Sequence, residues 1–291
     1  MEEHDTDKKI GWVILFNLVI TIAEYIGGFI SGSLSLISDA GHNLTDVISL
    51  ILGYFGEKVS QKEPTKKHTF GFKRAEIFTA LLNSLSLLII GIFIIYEAIK
   101  RIGANEQINT GVMLIVAIIG LVGNLVSVLV LHKDKDHNLN TKAAYMHLFF
   151  DTLSSVLVIA VGVIIYFTHL TILDLAASVA ISMMILFSGF EILKKTIHIL
   201  MQGLPENMDF EEVYKKITSI KEIKSIHGLH IWAIDSNEVF LSCHVCIDKQ
   251  NNHQNDIIKK INSLLEKDFG ISHTSIQVEN DNLCENKKTC N

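Results

Sequence analysis

The chain has 291 residues, 49% of them hydrophobic, with a formal net charge of −6 and a mean hydropathy of +0.36. The mild acidic balance argues against a nucleic-acid-binding surface, and the apolar excess is too large for an ordinary soluble domain. That excess is confined to the residues before Thr196; from Gly203 onward the composition is that of a soluble module.

The charged start, MEEHDTDKK, leads into an apolar run too long for a signal-peptide core, and no small-residue cleavage site follows it. A helix needs about 20 apolar residues to cross the hydrocarbon core. Six stretches qualify, at 10–30, 34–56, 76–99, 111–131, 143–167 and 172–193. The first two are joined by SGS and the last two near THLT, so each pair is predicted to form a helical hairpin with no loop left in lipid. Both prolines, Pro64 and Pro205, lie outside the apolar runs, so no span carries a proline kink. One set of flanks is rich in Lys and Arg, from Lys8 and Lys9 through Lys66, Lys67, Lys73 and Arg74 to Lys194 and Lys195. The opposite set holds only Lys100 and Arg101. The basic side is the cytoplasmic one, which places both termini inside, in a protein of the cell membrane.

The tail reads as a small two-layer module. Residues 209–220 have helical spacing, SIHGLHIWAI and VFLSCHVCI read as strands joined at Asp235-Ser236-Asn237, residues 254–268 are helical again, and SIQVE closes as a third strand. The fold class is therefore an α-helical membrane protein with six transmembrane helices, residues 1–202, followed by a cytosolic α+β domain of ferredoxin-like αββαβ order, residues 203–291. All four cysteines (Cys243, Cys246, Cys284 and Cys290) fall in this tail. In a cytosolic domain they are expected to be reduced, without a disulfide framework.

The second span contains DAGHNLTD. A charged side chain at the bilayer centre costs about 2.5–3.5 kcal/mol or more, so these residues need a reason. His42 and Asp46 are four apart and share one helix face, with Asp39 and Asn43 beside it. The fifth span repeats the arrangement in HLFFD, with His147 and Asp151. Two imidazoles and two carboxylates from two helices form a four-ligand set that suits tetrahedral Zn2+, and Co2+ or Fe2+ also. The bound cation supplies the charge that offsets desolvation. One such pair alone is as readily an interhelical hydrogen bond or a proton relay; two copies on separate spans favour metal. Four protein ligands leave no open position for a catalytic water, and no HExxH segment occurs, so an intramembrane metallohydrolase is the weaker rival. Asn17, Glu24, Asn83, Glu97 and Asn124 read mostly as interhelical or span-end residues, with Asn17 and Asn124 as candidates to line the path.

The segments SGSLSLISDAGHNLTD, HTFGFKRAE, HLFFD, GLHIW and TSIQVE resemble the cation diffusion facilitator family from about Ile10 to Glu279. The resemblance implies a homodimer that exports zinc in exchange for protons by alternating access, with His42, Asp46, His147 and Asp151 as the transport site. His rather than Asp at position 42 implies a preference for zinc over cadmium; a broader Fe2+/Co2+/Cd2+ exporter is the alternative. Some relatives bind a second zinc in the loop after the second span. Here His68 matches one ligand, while Phe72 stands where another His would be. The loop after the fourth span has only His132 and His137 and reads as a charged, solvated loop. In the tail, His230, His244 and Glu279 match family metal ligands, and zinc bound there is a second expectation. The turn assignment sets His230 nearly opposite His244. Gln277 replaces a family His; His227, His253, His273, Cys284 and Cys290 are further candidate donors, and Trp232 is a core or dimer-contact residue.

Overall fold

Six long helices come first: α1 (Glu2–Ser31), α2 (Leu34–Ser60), α3 (Ala75–Arg101), α4 (Thr110–His132), α5 (Leu139–Thr168) and α6 (Ile172–Leu200). The computed structural model describes residues 2–103, 107–132, 139–248 and 254–280; within these, the side chains of residues 2–14, 16, 50, 54, 130–132, 139–148, 150 and 280 are not described. All the predicted spans are helical, and most run beyond their apolar limits. Hydropathy marks the part of a helix in lipid, and backbone hydrogen bonding continues past it into water. Among the described residues, Ala75–Arg101, Thr110–Leu129, Asp151–Thr168 and Ile172–Leu200 are long and apolar enough to cross a membrane, and Asn17–Ser31 is a shorter apolar helix. Helix α2 falls short on composition because it carries Asp39, His42, Asn43 and Asp46.

The chain divides into two compact units, Met1–Tyr54 with Leu82–Leu193, and Phe55–Leu81 with Lys194–Asn291. In the first, α1 packs on α4 and α4 on α5, around a core that includes Leu36, Met113, Ala117, Val158 and Ile185. Large apolar side chains such as Phe29, Ile89, Phe93, Phe167 and Phe187 face outward, as a lipid-facing surface requires. The α1–α2 turn depends on Gly32, whose φ of +72° is a left-handed conformation that a side chain would strain. Arg101 Nη1 donates to the Gly32 carbonyl at 3.0 Å. The start of α2 is capped from a distant helix. Asp174 of α6 accepts from Leu34 N (2.6 Å), Ser35 N (3.2 Å), Ser33 Oγ (2.7 Å) and Ser35 Oγ (2.5 Å). It satisfies two orphan donors of the first turn and places negative charge at the positive end of the helix.

The second unit contains the two-layer module, α7 (Phe210–Thr218), β1 (Ile223–Ala233), β2 (Val239–Ile247), α8 (Gln254–Phe269) and β3 (His273–Asn280). The order is the predicted αββαβ. Asp209 caps α7 by accepting from Glu211 N and Glu212 N. Asp235 Oδ1 accepts from Asn237 N (2.9 Å) and Glu238 N (2.6 Å), which closes the hairpin where expected. The sheet runs β1-β2-β3, antiparallel then parallel. Val213, Ile217, Leu241, Val245, Ile257, Ile261 and Leu265 form one core between sheet and helices. The segment between α2 and α3 lies against the β1–β2 hairpin: Phe70 meets Phe240 edge-on at 5.5 Å, Lys73 pairs with Glu238, and Ser236 Oγ donates to Glu76 Oε1 at 2.5 Å.

Candidate metal centre

Helices α2 and α5 bring His42, Asp46 and Asp151 together. One donor atom from each lies within 4.8 Å of the others. His42 Nε2 is 3.8 Å from Asp46 Oδ2 and 3.7 Å from Asp151 Oδ1. The first distance follows from the four-residue spacing along α2; the second is an interhelical contact. His147 stands one turn before Asp151 in α5, but its side chain lies outside the described residues.

Two interhelical bonds hold α5 against α2. Asp39, 1% exposed, accepts from Ser154 Oγ at 2.6 Å and from Ser155 Oγ at 3.3 Å. It lies one turn before His42, and the serines lie one turn after Asp151, so the clamp fixes the two ligand faces relative to each other. Asn124 Nδ2 of α4 donates to Ser155 Oγ at 3.2 Å, extending the network. On the other side, Asn43 Nδ2 donates to Glu24 Oε2 of α1 at 2.9 Å. Glu24 fills the space beside Gly120, where a Cβ would stand 1.8 Å from its Oε1. Asn124 and Glu24 are thus interhelical groups, as is Asn83, whose Oδ1 accepts from Ser49 Oγ at 2.6 Å. Asn17 takes a backbone bond from Thr21 Oγ1 through its carbonyl, and Glu97 is a span-end residue paired with Arg101. Asp39 stands beside the ligand face as its spacing from His42 predicts, whereas Ser154 and Ser155 are signalled only by being serines in an apolar span.

The C-terminal module has a second cluster, arranged differently from the expectation. His230 does not oppose His244. The register pairs His227 with His244 and His230 with Ser242, with an irregularity between His227 and His230. His230 is exposed, while His227 is buried. The irregularity adds a residue to β1 relative to its partner, and a turn-based count cannot detect that shift. The His227 and His244 rings are 4.9 Å apart. His244 Nδ1 is 2.6 Å from Glu279 Oε1, and His227 Nε2 is 3.4 Å from Glu279 Oε2. Gln277 Nε2 donates to Glu279 Oε1 at 3.0 Å, so it positions the carboxylate. Cys246 joins the cluster with His227 and Glu279. It is disulfide-bonded, against the reduced state expected of a cytosolic tail.

Elsewhere, His68 is exposed, its ring tilted against Phe72 at 4.6 Å. Among the described residues, the two groups of three or more metal donors do not include it. The His273 ring lies tilted against Phe240 at 4.4 Å, and Trp232 stacks on the same ring at 5.8 Å. His253, Cys284, Cys290 and His137 lie outside the described residues, as does the side chain of His132.

Residues 12–201 match the family model described as the cation efflux transmembrane domain. The chain belongs to the cation efflux family. Residues 205–281 match the model for the cation efflux protein cytoplasmic domain. Among similar cation efflux proteins is the "Cadmium, cobalt and zinc/H(+)-K(+) antiporter" of Bacillus subtilis, 40% identical over 280 residues, which are 94% of this chain and 89% of that protein. The "Zinc transporter ZitB" of Escherichia coli is 34% identical over 260 residues, 89% of this chain and 82% of that one. A solved structure of the metal-bound C-terminal domain of the CzcD transporter from Cupriavidus metallidurans is 36% identical; it covers 25% of this chain and 99% of its own, with a TM-score of 0.24. The chain is an integral membrane cation efflux transporter, not an enzyme: its relatives carry transporter names, which removes the metallohydrolase reading.

Proposed function

We propose that the protein exports Zn2+ from the cytoplasm across the cell membrane in exchange for protons, by alternating access, as a homodimer with both termini inside. The convergence of His42, Asp46 and Asp151 donor atoms within 4.8 Å, inside an efflux transmembrane domain, carries this reading. His147 supplies the fourth ligand, on the strength of its spacing from Asp151, which makes an N2O2 set for zinc. Asp39, Ser154 and Ser155 hold the ligand helices in register. The Lys/Arg asymmetry supports the orientation, and the match to a cation efflux cytoplasmic domain supports an inward-facing module.

Metal binding needs neutral imidazole and ionised carboxylates, so protons and Zn2+ compete for the same atoms. The competition makes metal occupancy depend on the pH on each side of the membrane. Protons displace Zn2+ on the acidic outer side, and Zn2+ displaces protons on the cytosolic side. In inverted vesicles with an acidic interior, zinc uptake is expected to rise with the gradient and to fall when a protonophore collapses it. Uptake indifferent to both treatments would rule out antiport.

A broader cargo range is the second reading, because the Bacillus subtilis relative is named for cadmium and cobalt as well as zinc. His42→Asp makes the site more anionic and richer in oxygen. Competition transport of zinc against cadmium is expected to move toward cadmium in that variant, with zinc export retained. An unchanged ratio would remove position 42 as the selectivity determinant.

A further inference from the structure

The α1–α2 turn, the end of α3, the start of α4 and the start of α6 meet at one end of the membrane unit. Asp174 of α6 holds the hydroxyls of Ser33 and Ser35 and the amides of Leu34 and Ser35, Arg101 of α3 holds the Gly32 carbonyl, and Asn109 N donates to the Ser31 carbonyl at 2.8 Å. Ser31, Ser33, Ser35 and Asp174 are all buried. Within the same end, Leu34 of α2 with Ile94 and Ala98 of α3 form a small apolar plug, against which Leu175 and Val179 of α6 pack. Ser38, one turn further along α2, is buried, and its Oγ donates to the Leu34 carbonyl at 2.8 Å. One turn beyond Ser38 the burial ends: the side chain of His42 is 25% exposed and that of Asp46 is 24% exposed. The ligands are thus open to their surroundings while the end beyond Leu34 is shut.

We propose that the Asp174 clamp is the outer gate of the transport path: with the plug of Leu34, Ile94 and Ala98 it closes the ligands off from the side opposite the termini, and its release opens them to that side. The clamp ties α2, which carries His42 and Asp46, to α6, which carries none of the proposed ligands. Its chemistry makes it reversible. The amides that Asp174 meets are first-turn donors, which no intrahelical bond occupies. Drawing α6 away therefore breaks no helix, and water entering from that side takes over the amides, the serine hydroxyls and the carboxylate. The plug then loses its α6 wall, and Ser38 becomes the first buried position on the way to His42. By contrast, Asp39 with Ser154 and Ser155 holds α2 against α5 next to the ligands themselves, so the two ligand helices stay together when the gate opens. The proposal rests on the alternating access and the orientation proposed above.

The test uses the full-length protein in right-side-out and inverted vesicles. A charged, membrane-impermeant methanethiosulfonate is added from outside, and the modification is read at residue 38 by mass spectrometry. The native cysteines all follow residue 242 and do not interfere with that readout. Ser38→Cys is expected to stay unmodified in right-side-out vesicles. Its modification is expected to rise several-fold when Asp174→Ala is added, and also when Ser33→Ala and Ser35→Ala are added with Asp174 kept. Leu36→Cys, buried in the neighbouring apolar core, is expected to stay unmodified in every background, which separates an opened gate from an unfolded bundle. In the converse experiment, Ser35→Cys/Asp174→Cys is oxidised with copper phenanthroline. Zinc transport is expected to be lost and to return on reduction, zinc binding in detergent is expected to persist throughout, and the wild type treated alike is expected to keep its transport. Three results each overturn the proposal: modification of Ser38→Cys that neither set of clamp variants raises, an equal rise at Leu36→Cys, or normal zinc transport by the cross-linked protein. The thiol modification needs neither zinc nor a proton gradient, so it judges the gate even where the exporter reading fails. A rise confined to inverted vesicles supports the gate and overturns the proposed orientation instead.

Discussion

Asp46→Ala and Asp151→Ala are each expected to abolish zinc export while leaving the protein folded and inserted. Each removes a carboxylate from a cluster whose donor atoms lie within 4.8 Å of one another, so a dication is left with fewer ligands and half the compensating negative charge. Changing a residue that merely orients a ligand already costs about 10–100-fold in metal affinity, and removal of a ligand costs at least that. His42→Ala and His147→Ala are expected to act in the same direction. The isosteric Asp46→Asn and Asp151→Asn separate charge from packing: they keep the shape and are expected to fail as fully as the alanines. The measurement is zinc efflux from loaded vesicles, with thermal unfolding of the purified variants as the control for folding. Transport near the wild-type rate by Asp46→Ala and Asp151→Ala would sink the site assignment.

Asp174→Ala is expected to destabilise the membrane unit without touching the metal ligands. Asp174 is 1% exposed and accepts four hydrogen bonds from Ser33, Leu34 and Ser35. Loss of a helix cap costs about 0.5–2 kcal/mol, and each buried donor left unsatisfied costs about 1–3 kcal/mol. A loss of about 2–4 kcal/mol is therefore expected once the hairpin relaxes and water reaches part of the turn. Asp174→Asn keeps one acceptor oxygen and is expected to recover part of that stability. Thermal unfolding in detergent reads both variants. An unchanged midpoint for Asp174→Ala would mean that the turn is held by Gly32 and its Arg101 contact instead.

Features that repeat along one element are legible in the order of the amino acids alone. Six apolar runs became helices because hydrophobicity over about 20 residues is a local property. The HxxxD spacing placed His42 and Asp46 on one face because helix geometry is fixed at 3.6 residues per turn, and alternation with turn chemistry placed the two strands and the Asp235 turn. Tertiary structure decided what depends on register and on partners far along the chain. The irregularity in β1 exchanged His230 for His227 opposite His244, because an extra residue in one strand moves its side chains relative to their partners. Asp174 is 140 residues from Leu34, whose amide it caps, and Ser154 is 115 residues from Asp39. No periodicity within α2, α5 or α6 encodes those pairings; the packing of helix faces chooses them. Cys246 likewise comes to stand beside Glu279 only when β3 runs parallel to β2 in the observed register.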